Sequence, residues 1–391
     1  MAPAKLVGVV FAIAAVSSVA NANEHRFNLT PFSDSTDDWR TRTFFTGQPY
    51  TVYGQISPMV LRYDDGGQTK SYAPVGNSNK TSRLGLRYSI RNIGAWSPVF
   101  RFEFGLSARP SSKVNLLDPG ESGWGASSED LRKFEIAVTH PQFGKFTFGQ
   151  GSMATDNITE VDYSGTSVAA YSNVAAIAAS QFLRRDNGSL STLQVGDFID
   201  NFDGANITGN FDDGTRKFRV RYDSPRFHGL TASVALGNEM LRDDGETNAD
   251  AALRYEGDVG DFSVAAAIGY SWETRTRVLS GSTSVRHDPS GLNLTAAFGT
   301  ERDGGGFNYM KLGLRRSLWA VGQTAFSLDW YQGRDIASDG SRATSVGVAL
   351  VQSFDKVGIQ AYALLRQYAF SERSQSYQDS MAIMSGIRWA F

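Results

Sequence analysis

The sequence predicts an all-β protein, a membrane-spanning antiparallel β-barrel of about sixteen strands with a long third loop folded into its lumen. Three observations carry this. Short segments alternate apolar and charged residues with a period of two; their connections alternate between tight turns and longer polar loops; and about sixty irregular residues separate strand-like Lys145 to Gln150 from strand-like Arg216 to Asp223. A loop that long inside a compact all-strand domain is usually functional. After the first 22 residues no apolar run reaches the roughly 20 residues that a spanning helix needs. Spanning strands are only about 10 residues long and half polar, so that test does not see them.

The chain opens on a targeting segment. Lys5, the apolar run Leu6 to Val19 and the small-residue site Ala20-Asn21-Ala22 predict a signal peptide over 1–22, leaving Asn23 as the mature N-terminus. Residues 23–49 are polar and without period (Asp34, Asp37, Asp38, Arg40, Arg42) and read as an N-terminal extension. The barrel domain is expected over 50–391. Its strand candidates lie near 51–63, 82–91, 97–109, 130–140, 145–151, 215–223, 229–240, 249–257, 262–273, 280–287, 291–300, 307–316, 323–332, 343–353, 357–370 and 380–391. Short turns such as 140–144 and 258–261 alternate with long loops such as 64–81 and 110–129, as in a barrel whose two ends differ.

The faces of these segments agree. Leu84, Leu86 and Tyr88 oppose Arg83 and Arg87, and three phenylalanines over Phe100 to Phe104 oppose Arg101 and Glu103. An arginine facing lipid near the midplane costs about 2–4 kcal/mol, so the apolar set is expected outside and the charged set inside. Rings near strand ends (Tyr63, Tyr88, Tyr222, Tyr255, Tyr270, Trp272, Trp330, Tyr331, Trp389) read as girdles at the two lipid–water boundaries. In the last strand Met381, Ile383, Ile387, Trp389 and Phe391 alternate with Ala382, Met384, Gly386 and Arg388, and closure requires it to pair with the first.

The long loop, about 152–213, carries a string of acids, and its Ala-rich middle, Thr166 to Leu183, reads as a short helix. Opposed charges across a narrow watery gap would tune which solutes pass. The wall candidates for such a constriction are Arg83, Arg87, Arg101, Lys133, Arg219 and Arg221; the loop candidates are Asp156, Glu160, Asp162 and Asp186.

Little points elsewhere. The formal net charge of −2 offers no polybasic surface for nucleic acid, and the absence of cysteine leaves an exported chain without disulfides. No Gly-x-Ser-x-Gly elbow or phosphate-binding loop is present, and the four histidines (His25, His140, His228, His287) stand far apart, so neither an enzyme nor a bound cofactor is expected. Asp197, Asp200, Asp203, Asp212 and Asp213 offer oxygen ligands for Ca2+ without the spacing of a known calcium loop, and a solvated acidic loop is the preferred reading.

Four stretches resemble the Gram-negative general porin family. They are Ser82-Arg83-Leu84-Gly85, the run Phe143 to Gln150, Val220 to Pro225 with Phe227-His228-Gly229-Leu230, and the terminal Trp389-Ala390-Phe391. They fall in family order between Thr51 and Phe391, although the 23–49 extension is longer than usual and the loop lacks a Pro-Glu-Phe-Gly type motif. The resemblance implies a sixteen-stranded, commonly trimeric barrel in the outer membrane, whose third external loop folds inward to form an eyelet between loop acids and wall bases. The function expected is a water-filled channel for passive diffusion of ions and small hydrophilic solutes. A substrate-specific channel and a structural or adhesive barrel are the alternatives.

Overall fold

The computed structural model describes residues 49–106, 109–120, 130–199, 216–238, 240, 247–272, 277–302 and 304–391. The signal peptide expected over 1–22 and the extension over 23–49, except Pro49, lie outside them.

The first stave of the barrel is one line of chain in two pieces, β1 (Tyr50–Ile56) and β2 (Pro58–Asp64). It breaks at Ser57 because Pro58 has no N–H to give the ladder, while the Ser57 N–H donates to Ser82 Oγ at 2.9 Å. The second stave is broken opposite, into β3 (Thr69–Gly76) against β2 and β4 (Arg83–Ser89) against β1. Residues 69–76, read from the sequence as loop, are therefore strand. Their alternation is blurred by Lys70, Ser71 and Pro74, and their pairing with β2 decides.

The wall continues through β5 (Ser97–Gly105), β6 (Leu131–His140) and β7 (Gly144–Ser152). After the long loop it resumes with β10 (Arg216–Asp223), β11 (Leu230–Asn238), β12 (Thr247–Val259), β13 (Phe262–Trp272), β14 (Arg277–His287) and β15 (Leu292–Glu301). It ends with β16 (Gly306–Trp319), β17 (Gly322–Arg334), β18 (Arg342–Phe354), β19 (Ile359–Ser371) and β20 (Ser380–Ala390). Every neighbouring pair is antiparallel, and β20 bonds β19 on one side and both β1 and β2 on the other. The sheet is thus a closed barrel of sixteen staves. Closure leaves no open edge in hydrocarbon.

The period-two pattern sorts as expected. In β16 Met310, Leu312 and Leu314 are exposed while Tyr309 and Lys311 are buried; in β20 Met381, Ile383, Ile387 and Trp389 are exposed over buried Ala382 and Met384. The face that meets water in an ordinary sheet is here the apolar one. Two rings assigned to the girdles, Tyr63 and Tyr331, are instead 3% and 1% exposed and donate hydrogen bonds to the loop carbonyls of Phe182 and Ile199. Position near a strand end does not reveal which face a ring takes; parity does.

Within the loop, residues 153–199 are described, and they hold a hairpin, β8 (Phe182–Arg184) with β9 (Leu190–Gln194), and one short helix, α1 (Val195–Ile199). The Ala-rich middle is not a helix but a chain of tight turns. Ala169 N and Ala170 N both donate to Thr166 O, and Ala178 N donates to Ala175 O. Wall side chains take the carbonyls of Val168, Ala169, Ala170 and Val174 that a helical ladder would use. Alanine serves here for close packing: Ala169, Ala170, Ala175 and Ala178 are at most 1% exposed.

Candidate pore constriction

The bases of the wall gather on strands β4 to β7 and β10, around three buried carboxylates. Glu103 of β5 accepts from Arg132 Nε at 2.6 Å and from Tyr53 Oη at 2.9 Å, and lies 3.8 Å from Arg83 Nε. Glu135 of β6 binds Arg101 at 2.6 Å and also Arg219. Asp223 of β10 binds Arg221 at 2.7 Å and Lys145 at 3.3 Å. Strand register orders the groups along the wall: Glu103 pairs with Lys133, Arg101 with both Arg87 and Glu135, Arg219 with Gly149, Arg221 with Thr147, and Asp223 with Lys145. Lys133 acts electrostatically on Glu103 and Glu135 alike. Arg101, Lys133, Lys145, Arg219 and Arg221 line one polar cleft with Glu135, Thr147 and Ser152.

Glycine makes the middle of this cluster fit. A Cβ at Gly151 would sit 2.4 Å from Glu135 Oε2 and 2.8 Å from Arg219 Nη2, inside the ion pair. Arg219 also donates to Ser152 O at 3.0 Å and Gly149 O at 2.6 Å, and Arg221 to Met153 O at 2.6 Å, so these two bases hold the start of the loop as well as carrying charge.

The loop lies against the buried polar side chains of the other strands. Asp250 of β12 accepts from Ala154 N at 3.1 Å and from Thr155 N and Oγ1 at 2.7 Å each, while Arg254 of the same strand donates to Ala154 O and Asp156 O. Ser282 of β14 accepts from Val161 N and donates to Ile158 O. Fully buried Lys311 of β16 reaches Asp162 Oδ2 at 2.7 Å, Ser164 Oγ at 3.2 Å and Ala170 O at 2.8 Å. Burial alone would raise the Asp162 carboxyl, but the Lys311 ammonium and the Ser164 donors outweigh it and hold it below the ordinary range. Burial, with Glu256 nearby, lifts the phenol of Tyr163 to about 12.

The hairpin β8–β9 is fastened at the long-loop end of the barrel. Arg184 donates from Nε and Nη2 to the two oxygens of Asp65 at 3.0 and 2.8 Å. Its carbonyl accepts from Gln378 N at 2.8 Å, and Asp186 N donates to Ser376 O at 3.2 Å, framing an antiparallel bridge between Arg185 and Tyr377.

The six wall candidates, Arg83, Arg87, Arg101, Lys133, Arg219 and Arg221, thus fall together on adjoining strands. The loop candidates part company. Asp156 acts electrostatically on Arg216, Arg221 and Arg254. Glu160 is half-buried in a turn with its N–H on Asn157 O. Asp162 is consumed by Lys311, and Asp186 is exposed at the hairpin tip against the 371–379 loop. Sequence reasoning passed over Lys145, on the same face as Thr147, and Arg132, whose parity points to lipid. Among the described residues no group of acids or histidines is arranged for a metal. Of the proposed calcium ligands Asp197 is described, and its carboxylate accepts from Gln194 N at 2.7 Å, half of a capping box on α1; the other four lie outside the described residues.

A closed barrel, apolar outside and charged inside, is a membrane-spanning channel. The Gram-negative porin family matches residues 9–373, and the chain belongs to that family. No curated protein matches the sequence. Solved structures share the fold at low identity. The anion-selective porin from Comamonas acidovorans has 16% identity and a TM-score of 0.57, over 88% of this chain and 99% of that one. OmpF of Salmonella typhi, in complex with daunomycin, has 12% identity and a TM-score of 0.55, over 90% of this chain and 100% of that one. In vitro folded OmpT of Vibrio cholerae has 11% identity and a TM-score of 0.54, over 90% and 100%. The protein is an outer-membrane porin, a channel for diffusion that performs no covalent chemistry on what it passes.

Proposed function

We propose that the 153–199 segment narrows the water-filled interior and that ions and small hydrophilic solutes pass it along the basic wall, with small anions favoured over cations. The observation that carries this is a charge count on adjoining strands. Among the described residues, strands β4 to β7 and β10 carry ten bases (Arg83, Arg87, Arg101, Arg132, Lys133, Lys145, Arg216, Lys217, Arg219, Arg221) against the three carboxylates Glu103, Glu135 and Asp223. Across from them, two acids of the described loop residues are withdrawn from the passage, since Asp162 is neutralised by Lys311 and Asp186 stands at the hairpin tip. Among the described loop acids, Asp156 acts electrostatically on Arg216 and Arg221. An excess of one sign in a narrow passage raises the local concentration of the opposite ion.

The chain is further inferred to work as a homotrimer of such channels, by likeness to OmpT of Vibrio cholerae, for which a trimer form is described at 12% identity. Planar-bilayer recording tests both readings. Insertion is expected to raise conductance in three equal sub-steps, and a KCl gradient to give a reversal potential on the chloride side. Arg87→Ser with Arg101→Ser is expected to move it toward potassium. An unaltered reversal potential removes these arginines from the passage.

A further inference from the structure

Strand β6 does not keep its alternation to the end. Phe134 and Ile136 are 52% and 39% exposed and face outward, so Arg132, two residues before Phe134, belongs by parity on the lipid side. The pairing slips there: Glu103 lies opposite Lys133, but the next residue, Phe104, lies opposite Leu131, so Arg132 is the extra residue of a β-bulge. A bulge bends its strand and re-aims a side chain. Here it turns Arg132 inward, where Nε donates to Glu103 Oε1 at 2.6 Å and the side chain is 19% exposed. The neighbouring Lys133 keeps its own place in the register and acts on the same carboxylate. Two consecutive residues thus charge one face, which a regular strand cannot do.

We infer that Arg132, delivered by this bulge, is a charge-selecting residue of the passage. With Arg83 it brackets Glu103, and this trio stands nearer the long-loop end of the wall than the pair formed by Arg101 and Glu135. Lys133 acts on the same carboxylate, so bases outnumber Glu103 here, and Arg132 adds one further unit of net positive charge. A permeating anion meets that charge before it reaches Arg101 and Arg219.

The inference rests on the basic-wall reading above, and the test separates the two. Reversal potentials in a dilute KCl gradient are measured for the full-length protein, for Arg132→Gln, for Arg132→Lys and, as reference, for Arg101→Ser. Heat-modifiable migration checks that each variant is folded. Arg132→Gln is expected to lower the chloride-to-potassium permeability ratio about sevenfold, because one unit charge about 7 Å away in water favours the anion and disfavours the cation about 2.7-fold each, while Arg132→Lys keeps the ratio. A purely structural role would leave the ratio unmoved in both. If Arg101→Ser shifts the ratio and Arg132→Gln does not, the role of Arg132 is refuted and the basic wall stands. If neither shifts it, both are refuted.

Discussion

The fastening of the loop hairpin offers the most direct quantitative test. Arg184 makes a two-pronged contact with Asp65, whose carboxylate also accepts from Gly67 N at 2.9 Å and Gln68 N at 2.7 Å. The fit is close: a Cβ at Gly67 would lie 2.5 Å from Arg184 Nε. Hydrogen bonds to charged groups contribute about 1.5–3 kcal/mol, and Asp65 keeps its backbone donors when the guanidinium is gone, so Arg184→Ala is expected to weaken hairpin docking by about 2–3 kcal/mol. At a factor of ten per 1.4 kcal/mol this raises the opened population about 30- to 140-fold. Opening breaks two bonds that report on it, Asp186 N to Ser376 O and Gln378 N to Arg184 O. Hydrogen exchange at those two amides should therefore accelerate by about that factor while amides of β16 to β19, deep in the wall, stay unchanged. The Arg185–Tyr377 pair gives an independent check. Its flanking bonds make it a non-hydrogen-bonded antiparallel pair, with the Cα atoms about 4.5 Å apart, and the chain contains no cysteine to compete. Arg185→Cys with Tyr377→Cys should form a disulfide that returns exchange in the Arg184→Ala background to the wild-type rate. Unaltered exchange in Arg184→Ala, in a protein that still migrates as a folded barrel, would refute the claim that this contact holds the hairpin.

Two further outcomes follow from the buried anchors. Lys311→Met strands the Asp162 carboxylate without its cation, and breaking a buried pair from one side costs about 3–5 kcal/mol; conductance should become larger and noisier as the loop loosens, and adding Asp162→Asn should restore more than half of the loss. Acid should act late. The carboxyls of Asp65 and Asp162 are both held below the ordinary value, in each case because donors and a cation outweigh burial. Their contribution is therefore fully present above the unfolded value of about 3.9 and fades only as pH falls below it through the depressed folded values. Loop conductance and the exchange protection factors, corrected for the intrinsic pH dependence of amide exchange, should be flat from about pH 8 to pH 5, and a transition near pH 6 would contradict the assignment.

Where parity survives in the residues, the fold could be read from them. The alternation in β16 to β20 and the basic faces of β4, β5 and β10 located both the lipid and the bases, because one charged side chain in hydrocarbon is costly enough to fix a strand's register. Reading failed where tertiary contacts replace local pattern. Residues 69–76 have a weak alternation and become strand by pairing with β2; Thr166 to Leu183 has helical composition, yet its carbonyls are claimed from outside; Arg132 defies its parity because of one inserted residue. The loop acids were the least legible of all. Nothing about Asp162 among its neighbours says that its cation lies 149 residues further on, at Lys311.

The direction of the hydrogen bonds between wall and loop has a consequence for how such a channel can diversify. Asn77, Asn79, Tyr331, Tyr368, Lys311 and Arg254 all donate to carbonyl oxygens, and a carbonyl is supplied by every amino acid. The mounting is in large part indifferent to which residues it carries. Side chains bordering the aqueous route could be exchanged, altering what the channel admits, without removing the carbonyls by which the bracket keeps the insert seated.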